Sequence, residues 1–334
     1  MAGADETGGP TIGLALPQLG EHVDAAAVRD FAVAAEELGF AGLWAQEHLF
    51  YSEQNASVYG GRHTTSVHPA YRSVLGATEL MAFVASCTRR PLIGSSILVA
   101  GYHRPVELAQ RLATLDVLSG GRLVAGLGVG WSDEEHRLMD VDPRTRGRRM
   151  DELVRAVHAC WGPDPVEFDG EFFTIPTSTV RPKPVQTPHP PLLSGLRSDR
   201  GLARTAALFD IWNPSSGTVE TLRGQLDRMA AQRPAGLAPV RLFLRSYLQR
   251  PTDPVGSGGQ GLDGVAADIG TAKAVGAEHF IIECNFSDDI RSPEDWATMP
   301  ERLAPLIQLA RGDSFAESDS SGAGPVRPQK ENAS

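Results

Sequence analysis

Short apolar runs alternate with stretches of helical period along this chain, and the pair recurs eight times. The runs predict strands at residues 11–16, 41–46, 92–99, 123–128, 192–195, 210–212, 241–248 and 279–284. Helical patterns follow at 24–38, 73–87, 105–118, 146–161, 198–208, 218–231, 265–275 and 292–310. Runs such as LIGSSILV and HFIIEC lack the polar alternation of a half-exposed sheet, as befits strands covered on both faces. Strand–helix alternation predicts a parallel sheet. Eight units predict a closed (β/α)8 TIM barrel rather than an open doubly wound sheet.

Punctuation residues support the segmentation. Asp24 can cap the first helix and Gly39 can end it, and Pro105 suits a first helical turn. Ser132 with Glu135 three residues on forms a capping box, which makes Glu135 a capping residue first and a ligand contact second. Asp116, Ser119 and Arg122 surround the turn at Gly120-Gly121, with Arg122 expected to tie the turn to Asp116. An insertion separates strands four and five. It holds a predicted hairpin at 166–175, turning at Asp169-Gly170, and a Pro-rich stretch at 182–191. Residues 1–10 and 312–334, rich in Gly, Ser, Asp, Glu and Pro, are expected to be disordered tails around a barrel domain at 11–311.

Composition narrows the function classes. The 334 residues are 41% hydrophobic, enough for one large core. A net charge of −10 without a basic block argues against nucleic acid as a partner. No run reaches the ~18 apolar residues of a membrane span, and no signal peptide is visible at MAGADETGGP. Cys87, Cys160 and Cys284 are widely spaced, show no metal-ligand spacing, and suit a reducing cytoplasm, so the expected location is cytoplasmic. Neither H-E-x-x-H nor G-x-S-x-G occurs, so no metal and no serine nucleophile is expected.

In a barrel of this kind, chemistry sits at the C-terminal ends of the strands. Those positions here hold Glu47-His48, Ser95-Ser96-Ile97, the series Gly126, Gly128, Gly130 with Trp131, then Gly195 with Arg197, Ser198 and Arg200. Trp212, Glu283 and Asn285 follow on later strands. His48 is the candidate acid–base residue, since imidazole titrates near neutrality. GLGVGW lacks the G-x-G-x-x-G spacing of a dinucleotide fold. Bare backbone beside an indole instead suggests a seat for a flat ligand.

Together, Arg104-Pro105-x-x-x-Ala109, Leu115-Asp116-x-x-Ser119-Gly-Gly-Arg122 and Gly126-x-Gly-x-Gly-Trp131 form a specific pattern. Leu43-Trp44 before Glu47-His48, the Pro-x-Pro at Lys183 and Asp210-x-Trp212 extend it. The chain resembles the bacterial luciferase-like superfamily of flavin and deazaflavin oxidoreductases over about residues 12–310. The resemblance implies an isoalloxazine-type ring across the barrel mouth, bound by Glu47, Ser96, Ile97, Gly128, Gly130 and Trp131. It implies a non-prolyl cis peptide at Ser96–Ile97. It places the cofactor phosphate on the loop Gly195, Leu196, Arg197, Ser198, where the family usually has Gly-Gly. Leu196 departs from that pattern, and Arg197 and Arg200 supply charge beside it.

By the same resemblance Trp44, Tyr51, His68, Trp131 and Trp212 line the substrate space, under a lid at 48–69 that also carries Tyr59. The leading expectation is an oxidoreductase that moves a hydride between coenzyme F420 and a small organic substrate, with His48 as proton partner. The alternatives are a two-component FMN-dependent monooxygenase using reduced flavin and oxygen, and a non-catalytic flavin-binding barrel. A homodimer and a flavin or F420 reductase are the protein partners considered.

Overall fold

Eight of the apolar runs become strands because both their faces are covered, by a packed barrel interior and by helices. They are β1 (Thr11–Ala15), β2 (Gly42–Ala45), β3 (Leu92–Ser95), β4 (Leu123–Gly128), β5 (Leu192–Ser194), β6 (Ile211–Trp212), β7 (Arg241–Tyr247) and β8 (His279–Glu283). The computed structural model describes residues 8–53, 58–59, 62–63, 68–253 and 258–312, the pieces 58–59 and 62–63 by backbone alone. Most of the two expected tails and the Tyr59 side chain therefore lie outside the described residues. Packing begins before residue 11: Gly9 and Pro10 are buried, and a Cβ on Gly9 would sit 1.9 Å from the Ala310 carbonyl oxygen.

Each strand pairs in parallel with the next, and β8 closes the ring on β1 with Thr11 opposite His279. The result is a closed eight-stranded parallel barrel, as the alternation predicts. Around it run α1 (Ala25–Leu38), α2 (Ala77–Cys87), α3 (Pro105–Ser119), α4 (Asp133–Leu138), α5 (Arg146–Trp161), α6 (Asp199–Leu208), α7 (Val219–Gln232), α8 (Gly261–Val275), α9 (Pro293–Leu303) and α10 (Pro305–Arg311). Asp24 caps α1 through the Ala27 amide, and Gly39 ends it at φ 92°. The helix expected over 292–310 is two helices, because Pro305 has no amide hydrogen with which to continue the first. The insertion between β4 and β5 contains an antiparallel pair, Val166–Asp169 with Thr174–Ser178. Its loop is pinned by buried Glu152, which accepts from the amides of Glu171, Phe172 and Phe173.

The barrel interior is filled by Trp44, Val124, Leu193, Ile211, Phe243 and Ile281. Trp44 is 1% exposed, donates its indole N–H to His279 Nε2 at 3.0 Å, and lies in a hollow made by Gly13, Gly42 and Gly94. It plugs the barrel interior and does not line a substrate space. Trp212 is wholly buried in the outer core between barrel and helices, donating to the Leu196 carbonyl. Both residues are thus corrected from wall to core: the pleat of β6 turns Trp212 outward to the helices, while Trp44 points inward but lies deep in the barrel, against Gly13, Gly42 and Gly94.

Two further expectations change. Strand three is not continuous over 92–99: the Ser96–Ile97 peptide is cis, β3 stops before it, and Leu98–Val99 rejoins the sheet beside the end of β4. Arg122 does not bind Asp116. Its guanidinium donates to the carbonyls of Ala85, Thr88, Pro91 and Ser119, while Asp116 accepts from Gln186 and the Val185 amide. The turn is tied to α2, and Asp116 to the Pro-rich return toward β5.

Candidate active site

The ends of β2, β3, β4 and β7 open into a cavity of ≈ 140 Å³. Gln46, Glu47 and His48 enter it from β2, Ser96, Ile97 and Val99 from the bulge after β3, Gly130 and Trp131 from β4, and Arg245 and Tyr247 from β7. Tyr71, Tyr102 and Glu135 complete the lining. The cavity is therefore at the C-terminal face, where barrel enzymes carry chemistry.

His48 is held on three sides. Its Nδ1 lies 2.9 Å from Glu135 Oε1, its Nε2 lies 3.1 Å from the Trp131 indole nitrogen, and Tyr71 packs on the ring at 4.3 Å. Glu135 is 2% exposed and also accepts from the amides of Leu49 and Phe50 and from the Tyr102 hydroxyl. Burial works to raise its pKa, but the hydrogen bonds from His48, Tyr102 and the Leu49 amide outweigh it and hold the carboxyl below its ordinary value. The Tyr102 phenol is pushed well above the usual range, by burial first and by the Glu135 charge second, so it stays a donor. Ser132 does cap α4 through the Glu135 amide, yet the Glu135 side chain turns the other way. Glu135 is thus a site residue before it is a capping residue. The capping motif hid it: the acid that should reach back to the N-cap instead reaches across to the β2 loop.

Glu47 turns beneath this group. Its Oε2 accepts from the Val99 amide at 2.6 Å and faces His103 Nε2 at 3.0 Å, so it anchors the bulge after β3. Opposite lies a buried charge chain that joins Ser96, Glu283 and Asn285, named from the sequence, through Arg245, which the sequence reading did not name. Arg245 is 7% exposed and donates to Glu283, to the Ser96 carbonyl and, at 2.8 Å, to Ser96 Oγ. Ser96 Oγ in turn donates to Asn213 Oδ1 at 2.7 Å. Glu283 takes two further bonds from Asn285 at 2.7 Å. The available signal was an arginine two-thirds along a strand buried on both faces, where a charge needs a partner.

The glycine series plays a different part from the one its spacing suggests. A Cβ on Gly126 would lie 1.9 Å from the Ser95 carbonyl oxygen, on Gly128 2.6 Å from Ile97 Cδ1, and on Gly130 2.6 Å from Val99 Cγ1. Each glycine at every second position from 126 to 130 thus receives every second residue from Ser95 to Val99. The bare backbone admits the chain's own Ser95–Val99 segment, which carries the cavity wall. Gly130 has φ 72°, remains at the cavity edge, and needs glycine on both counts. Gly128 is a support behind Ile97.

The other expected residues lie elsewhere. Gly195, Arg197 and Ser198 are exposed at the start of α6, and Leu196 is half-buried against the outer core; none of the four lines the cavity. Ser198 Oγ caps α6 through the Gly201 amide. Tyr51 borders a smaller notch outside His48 and Trp131, under the Arg72 guanidinium. His68 caps a turn through the Ala70 amide and packs on Phe286, outside both cavities. Among the described residues no three metal-ligating side chains cluster, and no helix is long and apolar enough to cross a membrane.

Known proteins place this architecture. The chain is 26% identical over 223 residues to the FMNH2-dependent dimethylsulfone monooxygenase of Pseudomonas putida, covering 66% of this chain and 57% of that protein. It is 30% identical over 184 residues to the F420-dependent glucose-6-phosphate dehydrogenase of Kineococcus radiotolerans, covering 54% of this chain and 50% of that one. The match therefore spans little more than half the length of these relatives. In structure it is similar to a monooxygenase from Streptomyces bottropensis, with a TM-score of 0.67 at 20% identity over 88% of this chain and 98% of the other. It is equally similar to an F420-dependent secondary alcohol dehydrogenase in complex with an F420–acetone adduct, with a TM-score of 0.69 at 16% identity over 90% and 99%. At such identities the structural likeness is one of fold. A profile of the luciferase-like monooxygenase family matches residues 10–248, from the start of β1 through β7, and the chain belongs to that family.

Proposed function

We propose that this chain is an oxidoreductase that exchanges a hydride between coenzyme F420 and a small organic substrate, with His48 as the proton partner. The observation that carries this reading is the cavity in which His48, backed by a buried carboxylate, faces the cis Ser96–Ile97 bulge across the barrel mouth. The residues fit a flat, hydrogen-bonding ring. Ile97 and Val99 offer an apolar wall, and the Arg245 guanidinium and Ser96 hydroxyl offer polar atoms at its base. The start of α6, with first-turn amides and exposed Arg197 and Arg200, suits a phosphate at the far end. Bound there, the deazaflavin would supply the hydride chemistry. The protein orients the partners, keeps bulk water from His48, and holds the accompanying proton at the imidazole. F420-using relatives support the cofactor class.

A second reading has its own support. The dimethylsulfone monooxygenase uses FMNH2, and a trigonelline monooxygenase oxygenase component from Acinetobacter baylyi is 32% identical over 139 residues. In that case the same cavity holds reduced FMN, and a separate reductase is the partner. Side-by-side titration with F420 and FMN, each oxidised and reduced, followed by absorbance and protein fluorescence, separates the two. Tighter binding of F420 supports the first reading, and tighter binding of reduced FMN replaces it with the second. Binding of neither leaves a non-catalytic barrel.

A further inference from the structure

We propose that Glu135 is a positioning residue that locks His48 in its Nδ1–H tautomer, so that the Nε2 lone pair points to the cavity under a removable cap, the indole N–H of Trp131. The inference rests on His48 being the proton partner, and it names what makes that histidine ready.

Two neighbours select the same tautomer independently. An indole N–H can only donate, so His48 Nε2, 3.1 Å away, must accept. The proton is then on Nδ1, which meets Glu135 Oε1 at 2.9 Å, an acceptor. Glu135 cannot drift from this task. The amides of Leu49 and Phe50 bind the same oxygen that His48 uses, and the Tyr102 hydroxyl binds the other. Three separate pieces of chain, the loop after β2, the segment before α3 and helix α4, thus converge on one buried carboxylate. The arrangement is that of a histidine oriented by a carboxylate behind it, a device that fixes ring rotation and tautomer together.

Trp131 gives the lock a front. The His48–Trp131 contact borders both the main cavity and a small outer notch lined by Phe50, Tyr51 and Ser52. A ligand group that reaches Nε2 has to displace the indole N–H. With Nε2 unprotonated, His48 begins as an acceptor, and a ligand O–H or N–H replaces the indole bond in kind. Tyr71 on the ring face keeps the imidazole from swinging to follow the indole.

The test is 15N NMR of the full chain with labelled histidine, the His48 signals being assigned by loss in His48→Gln. In the cofactor-free protein, Nδ1 should give a protonated, pyrrole-type signal and Nε2 a bare, pyridine-type signal. Glu135→Gln keeps an acceptor oxygen under the Leu49 and Phe50 amides and should keep this pattern. Glu135→Ala should move both signals toward the averaged position of two exchanging tautomers. With whichever cofactor the titrations select, Glu135→Ala should lower kcat about 10- to 100-fold and change KM less than about threefold, and Glu135→Gln should restore most of kcat. A wild-type Nε2–H or averaged pattern overturns the proposal, as does a Glu135→Ala protein with unchanged signals and kcat. Should Glu135→Ala not fold, the wild-type and Glu135→Gln spectra decide. The NMR result stands apart from the cofactor: an Nδ1–H signature in a protein that binds neither F420 nor FMN upholds the lock and removes the catalytic reading instead.

Discussion

Replacing Gly126 by alanine tests whether the glycine series exists to receive the Ser95–Val99 bulge. The new Cβ would lie 1.9 Å from the Ser95 carbonyl oxygen, 2.9 Å from its carbon and 3.0 Å from Leu193 Cδ2. The nearest atoms are backbone, so no rotamer change relieves the clash, and β3 must separate from β4. Overpacking a buried site costs about 1–3 kcal/mol. Separation also breaks the bridge in which Ser95 Oγ accepts from the Gly126 amide and donates to its carbonyl, each at 2.9 Å. Two net hydrogen bonds add about 1–2 kcal/mol. The expected loss is about 2–5 kcal/mol, a large part of a typical domain's 5–15 kcal/mol. Urea denaturation should show it as a fall in midpoint at unchanged m. Gly270→Ala is the control: Gly270 lies exposed in α8 with nothing within 4 Å of its Cβ, and the substitution should stabilise by up to about 1 kcal/mol. At Gly128 the obstacle is the end of the Ile97 side chain. Ile97→Ala should therefore offset Gly128→Ala, with a coupling of about 1–2 kcal/mol in a double-mutant cycle. A Gly126→Ala protein within about 0.5 kcal/mol of wild type would refute the reasoning.

Three other outcomes are expected. His48→Ala should lower kcat about 10²- to 10⁴-fold while cofactor Kd shifts little; turnover at the wild-type rate would remove His48 from the chemistry. Arg245→Met leaves Glu283 buried without its cation and should cost about 3–5 kcal/mol, whereas Arg245→Met with Glu283→Leu should cost less, as measured by denaturant midpoints; equal losses would show the pair is not coupled. Burial, with His189 stacked alongside, holds His158 at about 4, and burial holds His279 at about 3, both below the ordinary histidine value. Between pH 4 and 6.5 the unfolded chain then binds more protons than the native one, so stability should rise with pH across that window and lose part of its slope in His158→Phe. A flat stability profile over that range would contradict the burial of these rings.

The barrel was legible because its signals are local. Eight apolar runs, the Asp24 and Ser132 caps, the stop at Gly39 and the proline at 105 each act within a turn or two, and each recurs in the structure. His48 and Glu47 were legible as residues at the end of β2; the cis peptide at Ser96–Ile97 came from the family resemblance, while the apolar run itself predicted an unbroken strand. What those residues touch was not. Trp44 and Trp212 sit near site residues in sequence, but Trp44 points into the closed barrel interior and Trp212, on the other face of its strand, into the outer core.

The chain's own pattern of apolar runs and breakers therefore determines the (β/α)8 architecture and the face on which chemistry gathers, because strand and helix periods are written in consecutive residues. Only the tertiary structure decided that Glu135 leaves its capping motif for His48, that Arg245 joins Glu283 and Ser96, and that the three glycines house a neighbouring strand. These contacts join residues 31 to 149 positions apart, and they depend on which way each strand end points once the ring has closed.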